Sequence, residues 1–380
     1  MKRVCIAMVA GEASGDLLAS HLIAALKARL PEAQFFGIGG PKMQAEGFDA
    51  WWPAEALAVR GYVEVLKHYR SISNIRSQLK KRLLTECPDV FIGVDAPDFN
   101  LGLETDLKRR GIATIHYVSP SIWAWRGGRI GKIKKAVSRV LALFPMEPPL
   151  YQKEGIPVTY VGHPLADVIP METKRLEVRE KLNLPRTIPI IALLPGSRQS
   201  ELQYMADDFV KTAKIIHERL PDALFIVPLA TRETRLLFEA AMRRQDIGEI
   251  PFRLLFGHAQ DAAGAADVVL VASGTATLEV ALIKRPMVIT YKMSPTSHWL
   301  MKRMGYLPYV GLPNILAGRF VVPEILQDEA TPERLAEALI KLYEDREGAA
   351  ALNEVFADIH RQLKQDTAEK AAQAIIECLR

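Results

Sequence analysis

Two acidic runs in the first half of the sequence contain carboxylates that could accept a proton from a substrate. The runs are Gly11-Glu12-Ala13-Ser14-Gly15-Asp16 and Val94-Asp95-Ala96-Pro97-Asp98, and each follows a short apolar segment. A carboxylate can act as a general base when the proton that it removes lies within hydrogen-bond reach. We take Asp95 as the first candidate base and Asp98 as the second. Structural interpretations remain open, with Asp98 as the N-cap of a following helix and Ser14 as the cap of an ordinary strand-to-helix turn.

Two turns in the second half of the sequence are suited to binding phosphate. They are Pro195-Gly196-Ser197-Arg198 and Ser273-Gly274-Thr275-Ala276, and each lies between an apolar run and a helical pattern. Small residues leave backbone N–H groups accessible at a helix N-terminus, and Arg198 can hold a phosphate with its guanidinium. Glu279, one turn into the second helix, could bind a ribose diol. Together the two turns predict a site for a nucleoside diphosphate.

A third polar run combines hydrogen-bonding side chains with tryptophan. Residues 116–126 read HYVSPSIWAWR, a mixture suited to a sugar face or an acyl chain, although a loop lining the core would have the same composition. Residues 126–139 follow with six basic side chains and no acidic one. Such a run favours an anionic partner.

The segment from Tyr62 to Leu84 has the pattern of an amphipathic helix with basic flanks. Its apolar residues recur every three or four positions, and between Arg60 and Arg139 there are 16 Lys or Arg against 7 Asp or Glu. This is typical of a helix that lies in a membrane interface, but a helix packed on its own domain fits equally well. The candidate membrane-docking residues are Val63, Leu66, Tyr69 and Ile72.

The elements that position these residues alternate between strands and helices, which predicts an α/β fold with parallel sheets. The predicted strands are 3–10, 34–38, 90–94, 113–118, 140–144, 158–161, 190–194, 224–228, 252–255, 268–271 and 287–290. Because parallel sheets bind ligands at the carboxyl ends of their strands, the polar runs fall where a site is expected. A proline-rich segment at 162–189 separates two such halves, which we expect to form two doubly wound domains facing a cleft. Residues 331–380 have helical periodicity.

Composition excludes several classes of protein. The chain has 380 residues with 49% hydrophobic residues and a net charge of +5, which is incompatible with disorder. The longest apolar stretches are too short or too charged to span a bilayer. Three scattered cysteines favour a reducing compartment, and the N-terminal apolar run continues into a Gly-rich turn as a first strand would. We expect a cytoplasmic protein that has no metal site, since there is no HxxxH or Asp-X-Asp motif.

Taken together, the motifs resemble lipid-A-disaccharide synthase, a family of bacterial glycosyltransferases of the GT-B architecture. Six motifs occur in the family's order: VAGEASGD, GVDAPDFN, HYVSPSIWAWR, LLPGSR, VASGTATLE and LPNILAG. The resemblance covers nearly the whole chain. It implies residues 1–165 as an acceptor and membrane-docking domain, 166–345 as a UDP-sugar-binding domain, and 346–380 as helices that pack back on the first domain.

The resemblance also implies a reaction in lipid A biosynthesis. UDP-2,3-diacylglucosamine and 2,3-diacylglucosamine 1-phosphate would give a β-1,6-linked disaccharide 1-phosphate and UDP, with inversion and without cofactor or metal. Asp95 or Asp98 would be the base, with Glu12 and Ser14 positioning the acceptor and Glu279 holding the ribose. It implies a homodimer at the inner face of the inner membrane, bound to anionic lipid. The residues expected around UDP are Gly196, Ser197, Arg198, Ser273, Gly274, Thr275, Ala276, Glu279 and Asn314.

Three other functions use some of the same features. A nonhydrolysing UDP-sugar epimerase shares the architecture but does not need the apolar and basic helix. A nicotinamide-dependent oxidoreductase would need a GxGxxG turn, which is missing from the sequence. A nucleic-acid binder would account for the basic half, but that half contains no recognised nucleic-acid-binding motif, so we expect no nucleic-acid partner.

Overall fold

In a computed structural model of the protein, the chain forms two compact units. The structure describes residues 3–57, 62–123, 127–294 and 307–379, with backbone only for 62–69. The first unit comprises Met1–Asp167 and Leu363–Arg380, and the second comprises Val168–Gln362. Of the segment 346–380, residues 346–362 fall in the second unit and residues 363–380 in the first.

A seven-stranded parallel sheet forms the centre of the first unit. The strand order is β3-β2-β1-β4-β5-β6-β7, and every strand except β3 matches a predicted one. The strands are β1 Cys5–Ala10, β2 Gln34–Gly39, β3 Asp49–Pro53, β4 Val90–Val94, β5 Ala113–Tyr117, β6 Arg139–Ala142 and β7 Val158–Tyr160. The helices are α1 Ala13–Arg29, α2 Pro41–Ala45, α3 Tyr62–Glu86, α4 Pro97–Lys108, α5 Ile130–Ala136, α6 Pro148–Lys153 and α7 Pro164–Val168, whose last residue falls in the second unit.

The chain order reverses between β1 and β4, which pair with Ala10 beside Val94. From β1 the chain runs outward through β2 and β3, and from β4 it runs outward on the other side. This is a topological switch point, where the loops after the two neighbouring strands separate and leave a crevice. It brings the Glu12 and Asp95 runs to the same edge of the sheet.

Helices cover both faces of the first sheet, which explains why its strands are apolar on both sides. On one face α1 packs with the last helix of the chain, through residues such as Leu22 and Ile375. On the other face α3 and α4 pack through Leu83 and Leu107.

The described part of α3 packs on its own domain. Ile72 and Ile75 lie partly buried against the core under β1 and β4, and Leu79 is fully buried. Ile72 therefore packs at least in part on its own domain, as the alternative interpretation of this periodicity expects. The proposed membrane contact of Ile72 stays a prediction. The side chains of Val63, Leu66 and Tyr69 lie outside the described residues.

The second unit repeats this plan with six parallel strands in the order β10-β9-β8-β11-β12-β13. The strands are β8 Ile190–Leu194, β9 Leu224–Leu229, β10 Phe252–Phe256, β11 Val268–Ala272, β12 Met287–Tyr291 and β13 Glu324–Leu326. The helices are α8 Arg175–Lys181, α9 Gln199–Arg219, α10 Arg232–Arg244, α11 Ala259–Ala265, α12 Thr275–Leu282, α13 Leu312–Ala317, α14 Pro332–Glu344 and α15 Arg346–Leu363; α16 Thr367–Leu379 belongs to the first unit. Here the switch point lies between β8 and β11, with Leu194 beside Val271.

No helix within the described residues is both long and apolar enough to cross a membrane.

Candidate active site

The loop after β1 presents two of the predicted acceptor-binding side chains to solvent. Glu12 and Ser14 are exposed, whereas Gly15 is buried against β4, where an added Cβ would lie 3.7 Å from Val94 Cγ1. Helix α1 begins at Ala13 with Glu12 as its N-cap, in extended backbone and without a side-chain cap. The alternative of a turn capped by Ser14 is therefore wrong, and both side chains are free to face a ligand.

Asp16, in the same motif, has a structural role. Its buried carboxylate accepts hydrogen bonds from the backbone N–H groups of Gly40 at 2.9 Å, Lys42 at 3.0 Å and Met43 at 3.1 Å. These N–H groups open α2, so the carboxylate caps that helix. Asp16 thus ties the loop after β1 to the loop after β2.

Asp95 lies at the end of β4 in a left-handed turn, which we call the elbow and define as Asp95 and Ala96. Their φ angles are 50° and 43°, in a region that non-glycine residues seldom occupy. The backbone N–H of Asp95 donates to the Tyr117 carbonyl at 2.8 Å. The carboxylate is half-buried and accepts no hydrogen bond from the described residues, so it is available to a substrate.

Asp98 is engaged by a neighbouring cation. Its exposed carboxylate accepts a hydrogen bond from Arg129 at 2.7 Å, and Ala96, not Asp98, is the N-cap of α4. The N-cap interpretation of Asp98 is therefore wrong. Among the described residues, Asp98 therefore has a charged partner and the Asp95 carboxylate has none.

The Trp123 loop is held by a carboxylate that sequence analysis missed. Glu147 is 1% exposed and accepts hydrogen bonds from Trp123 Nε1 at 3.1 Å and from the backbone N–H of Phe144 at 3.0 Å. Burial raises the pKa of Glu147 to about 7, although these hydrogen bonds act in the opposite direction. Nearby, Ser119 Oγ and Tyr151 OH lie 2.7 Å apart in the same buried layer.

In the second unit, the first predicted phosphate turn is already filled by a side chain. The carboxylate of Glu201 accepts hydrogen bonds from the backbone N–H groups of Ser197 at 3.0 Å and Arg198 at 3.1 Å. Gly196, at a φ of 110°, allows this approach, since a Cβ there would lie 2.4 Å from Glu201 Oε2. The expectation that these N–H groups are free is therefore wrong. An acidic residue in the first turn of α9 satisfies them first.

The side chains of this turn remain available to a ligand. Ser197 and Arg198 are exposed, and the Arg198 guanidinium makes no hydrogen bond to a described residue. Behind the turn, Tyr291 OH donates to Glu201 at 3.4 Å, which helps to keep the carboxylate in place.

The second predicted phosphate turn is open. Within the described residues, the backbone N–H groups of Gly274, Thr275 and Ala276 donate to no acceptor. The Ser273 N–H donates to the Thr290 carbonyl of β12 at 2.9 Å, which anchors the turn to the sheet. The start of α12 thus presents N–H groups and two hydroxyls to an anion.

Glu279 lies in the next turn of α12. It is half-buried, and burial raises its pKa, while a hydrogen bond with Gln260 acts in the opposite direction. It is placed on the same helix as the open turn, as the sequence predicted.

The side chain of Asn314 forms hydrogen bonds with the protein itself. It is fully buried; its Nδ2 donates to the Val322 carbonyl at 3.0 Å and to Glu324 at 2.8 Å, and its Oδ1 accepts from Val321 and Val322 N–H groups. All its hydrogen-bonding positions are therefore used within the loop. It lies on α13, which packs beside α12.

Across the described parts of the chain, no group of three or more His, Cys, Asp or Glu side chains is arranged to hold a metal ion.

Comparison with known proteins assigns the chain to a family. The family described as lipid-A-disaccharide synthetase matches residues 6–376. The lipid-A-disaccharide synthase of Dechloromonas aromatica is 75% identical over 377 residues, covering 99% of both chains. That of Azoarcus sp. is 61% identical and covers 98% of this chain and 96% of its own. The chain belongs to the lipid-A-disaccharide synthase family. It is a glycosyltransferase of lipid A biosynthesis.

Solved structures confirm the GT-B fold predicted for a lipid-A-disaccharide synthase. The glycosyltransferase of kitacinnamycin superposes with a TM-score of 0.65 at 16% identity over the whole of both chains. The putative UDP-N-acetylglucosamine 2-epimerase of Listeria monocytogenes gives a TM-score of 0.64 at 12% identity, covering 99% of this chain and 95% of its own. At such identities the likeness shows the fold alone, and the family assignment disfavours the epimerase alternative.

Proposed function

We propose that the chain transfers 2,3-diacylglucosamine from its UDP derivative to O6 of 2,3-diacylglucosamine 1-phosphate. The products are the β-1,6-linked disaccharide 1-phosphate and UDP. Family membership supports the reaction class. The observation that carries the mechanism is the Asp95 carboxylate at the first switch point, which has no hydrogen-bond partner among the described residues.

In this mechanism Asp95 removes the proton from the acceptor O6 as that oxygen attacks the anomeric carbon. Glu12 and Ser14 position the acceptor, since both are exposed at the neighbouring loop. The bond from the anomeric carbon to the UDP oxygen breaks in the same step, so the anomeric centre inverts and no covalent enzyme intermediate forms. The electron pair of that bond leaves with UDP.

The diphosphate of UDP is proposed to bind the open turn at Ser273–Ala276. The N–H groups at the start of α12 and the Arg198 guanidinium would stabilise the charge that develops on the leaving group, without a bound metal ion. Glu279 would hold the ribose diol. Gly196 and Ser197 line the neighbouring turn. Asn314 shapes the adjacent loop rather than contacting the diphosphate, because its polar atoms are all engaged.

The experiment that tests this function is an assay of the purified protein with both sugar substrates. We expect a disaccharide 1-phosphate by mass spectrometry, a β anomeric proton by NMR, and undiminished turnover in EDTA. Donor turnover without acceptor, or loss of activity with the chelator, would contradict the proposal.

Because both proposed substrates carry acyl chains, we also propose peripheral binding to the anionic inner face of the inner membrane. Exposed Lys132, Lys134 and Lys135 on α5 support this, since Ile133 and Ala136 of the same helix are buried and leave the basic face outward. Val63, Leu66 and Tyr69 remain the proposed apolar contacts.

A homodimer with exchanged C-terminal segments is proposed from the family resemblance. Light scattering of the purified protein tests it directly: a single species of about 85 kDa, twice the 42.3 kDa chain, is expected, and a monomer at assay concentration would contradict it.

A further inference from the structure

The elbow is a strained piece of backbone at the proposed catalytic residue. Asp95 and Ala96 are successive non-glycine residues with φ of 50° and 43°. Each left-handed residue of this kind is unfavourable and persists only when its surroundings impose it. Some part of the fold must therefore hold the elbow.

Asn100 is the side chain that does so. Its Nδ2 donates to the Asp95 carbonyl at 2.8 Å, and its own backbone N–H donates to the Ala96 carbonyl at 3.0 Å. The two carbonyls of the elbow are thus bound by one residue of α4. Asn100 is fully buried, so this contact is shielded from water.

A buried ionisable pair lies beneath Asn100. Glu104, one turn further along α4, lies with its Oε1 2.7 Å from Nδ1 of His116 on β5, and both side chains are fully buried. Gly93 on β4 makes room for the cluster, because a Cβ there would lie 2.2 Å from Glu104 Oε1 and 2.9 Å from Asn100 Cβ. Burial raises the pKa of the Glu104 carboxyl.

Burying the cluster of Asn100, Glu104 and His116 in the core is energetically unfavourable. Asn100 Oδ1, Glu104 Oε2 and His116 Nε2 are buried and have no hydrogen-bond partner among the described residues. Unsatisfied buried polar atoms destabilise a fold, and apolar side chains of similar volume would be at least as stable. Stability alone therefore does not explain the cluster.

We propose that Asn100, which lies beside the buried Glu104–His116 pair, is a positioning residue that fixes the elbow and so directs the Asp95 carboxylate toward the acceptor. This inference rests on the proposed function, in which Asp95 is the base. Asn100 and the pair touch no substrate in this scheme. Asn100 acts only through the backbone of the elbow.

The first test is Asn100→Asp, which keeps the shape of the side chain. When its new carboxyl is protonated it donates to the Asp95 carbonyl as Asn100 does, and when ionised it cannot donate and repels that carbonyl. We expect kcat to fall about 10- to 100-fold at pH 8, as for a misdirected catalytic group. The ratio of variant to wild-type kcat should recover several-fold as pH is lowered to 5.5. The titratable groups facing this site, Glu104, His116 and Asp95, are present in both proteins.

A control variant and a second variant distinguish a loss of positioning from a general disruption of the fold. Thr105→Ala removes a side-chain hydrogen bond to the Leu101 carbonyl on the same helix, and it should keep kcat within about threefold. If Asn100→Asp does not fold, Asn100→Ser is measured on protein that melts cooperatively. It should show the same loss in kcat at pH 8, with UDP affinity unchanged.

The outcomes distinguish this inference from the function on which it rests. An inactive Asp95→Asn together with a fully active Asn100→Asp, or a loss of kcat that is the same at every pH, overturns the positioning role only. An active Asp95→Asn overturns the proposed base itself, whatever the Asn100 variants show.

Discussion

Two carboxylates of the first unit, Glu147 and Glu104, are buried and hydrogen-bonded to neighbouring groups. Glu147 binds Trp123 and Phe144 N–H groups, and Glu104 binds His116, in both cases with almost no exposure to water. Burial raises the pKa of both carboxyl groups, because it disfavours their charged form.

Glu147 gives a pH dependence whose sign can be worked out. Its pKa is raised from 4.5 to about 7, so as pH rises from 4.5 to 7 the unfolded chain ionises this group before the folded chain does. The folded state therefore loses up to about 3 kcal/mol from this residue over that range. We expect the difference in unfolding free energy between wild type and Glu147→Gln to decrease by that amount, measured by urea denaturation.

Comparison with the variant is essential, because His163 acts in the opposite direction. Burial lowers the pKa of His163 to about 4, so its contribution to stability is lost as pH falls. That contribution is common to both proteins and cancels in the difference. A difference that stays constant from pH 4.5 to 7 would show that Glu147 ionises normally in the folded protein.

The roles of individual residues could be predicted from the sequence only where the residues directly follow a strand. Asp95 and the turn at Ser273 follow apolar strands, and the parallel-sheet rule places both at the edge where ligands bind. Glu147 and Glu104 carry no such signal, because a single carboxylate in an amphipathic or proline-rich segment reads as a surface residue. The role of Glu201 could have been found, since an acidic residue three positions after an N-cap indicates a capping box.

At the scale of elements, the two helix N-termini of the second unit differ in what they leave open. The start of α9 is closed by its own Glu201, whereas the N–H groups at the start of α12 have no partner in the described parts of the chain. The proposed diphosphate site therefore depends on α12.

A matched pair of substitutions tests this difference. Ala276→Glu and Ser200→Glu each place a carboxylate at the second position of a helix, where it interacts favourably with the helix dipole. We expect Ala276→Glu to weaken UDP binding at least tenfold by calorimetry without lowering the melting temperature. Ser200→Glu should stay within about threefold of wild type, and equal losses in both variants would contradict the assignment to α12.

Element boundaries were least predictable at the edges of the sheets. The central strands were recovered as β-branched runs, but β3 and β13 were missed. β3 contains Asp49 and Pro53, residues disfavoured in strands, and β13 has only three residues. Helix α3 was predicted as a helix, but the sequence could not show whether its apolar face packs on its own domain or on a membrane. In the structure Ile72 packs partly on the core of its own domain.

At the scale of the whole molecule, each unit is a parallel sheet with one switch point. Four polar motifs of the sequence follow the strands at those points, after β1 and β4 in the first unit and after β8 and β11 in the second. The alternation of strands and helices predicted this organisation, because a doubly wound sheet is the usual way to bury strands on both faces. The proposed association with membranes is also a property of the whole molecule, because it depends on the total charge of a surface.

Charge reversal on α5 tests the membrane proposal. Each basic residue near an anionic surface contributes about 1 kcal/mol, so changing Lys132, Lys134 and Lys135 to Glu should reduce flotation with phosphatidylglycerol vesicles at least about 100-fold. The matched control changes Lys211, Arg232 and Arg243, exposed on the second unit, to Glu. Flotation that is equal in the two variants would reject α5 as a docking surface.

The central claim is that Asp95 accepts the acceptor's proton while the second unit independently holds UDP. The most direct measurement is the turnover of Asp95→Asn with both sugar substrates, together with its UDP affinity by calorimetry. We predict a decrease in kcat of at least about 1000-fold, as expected when a general base is removed from its reaction, with a UDP dissociation constant within about twofold of wild type. Turnover close to that of the wild type would contradict the account.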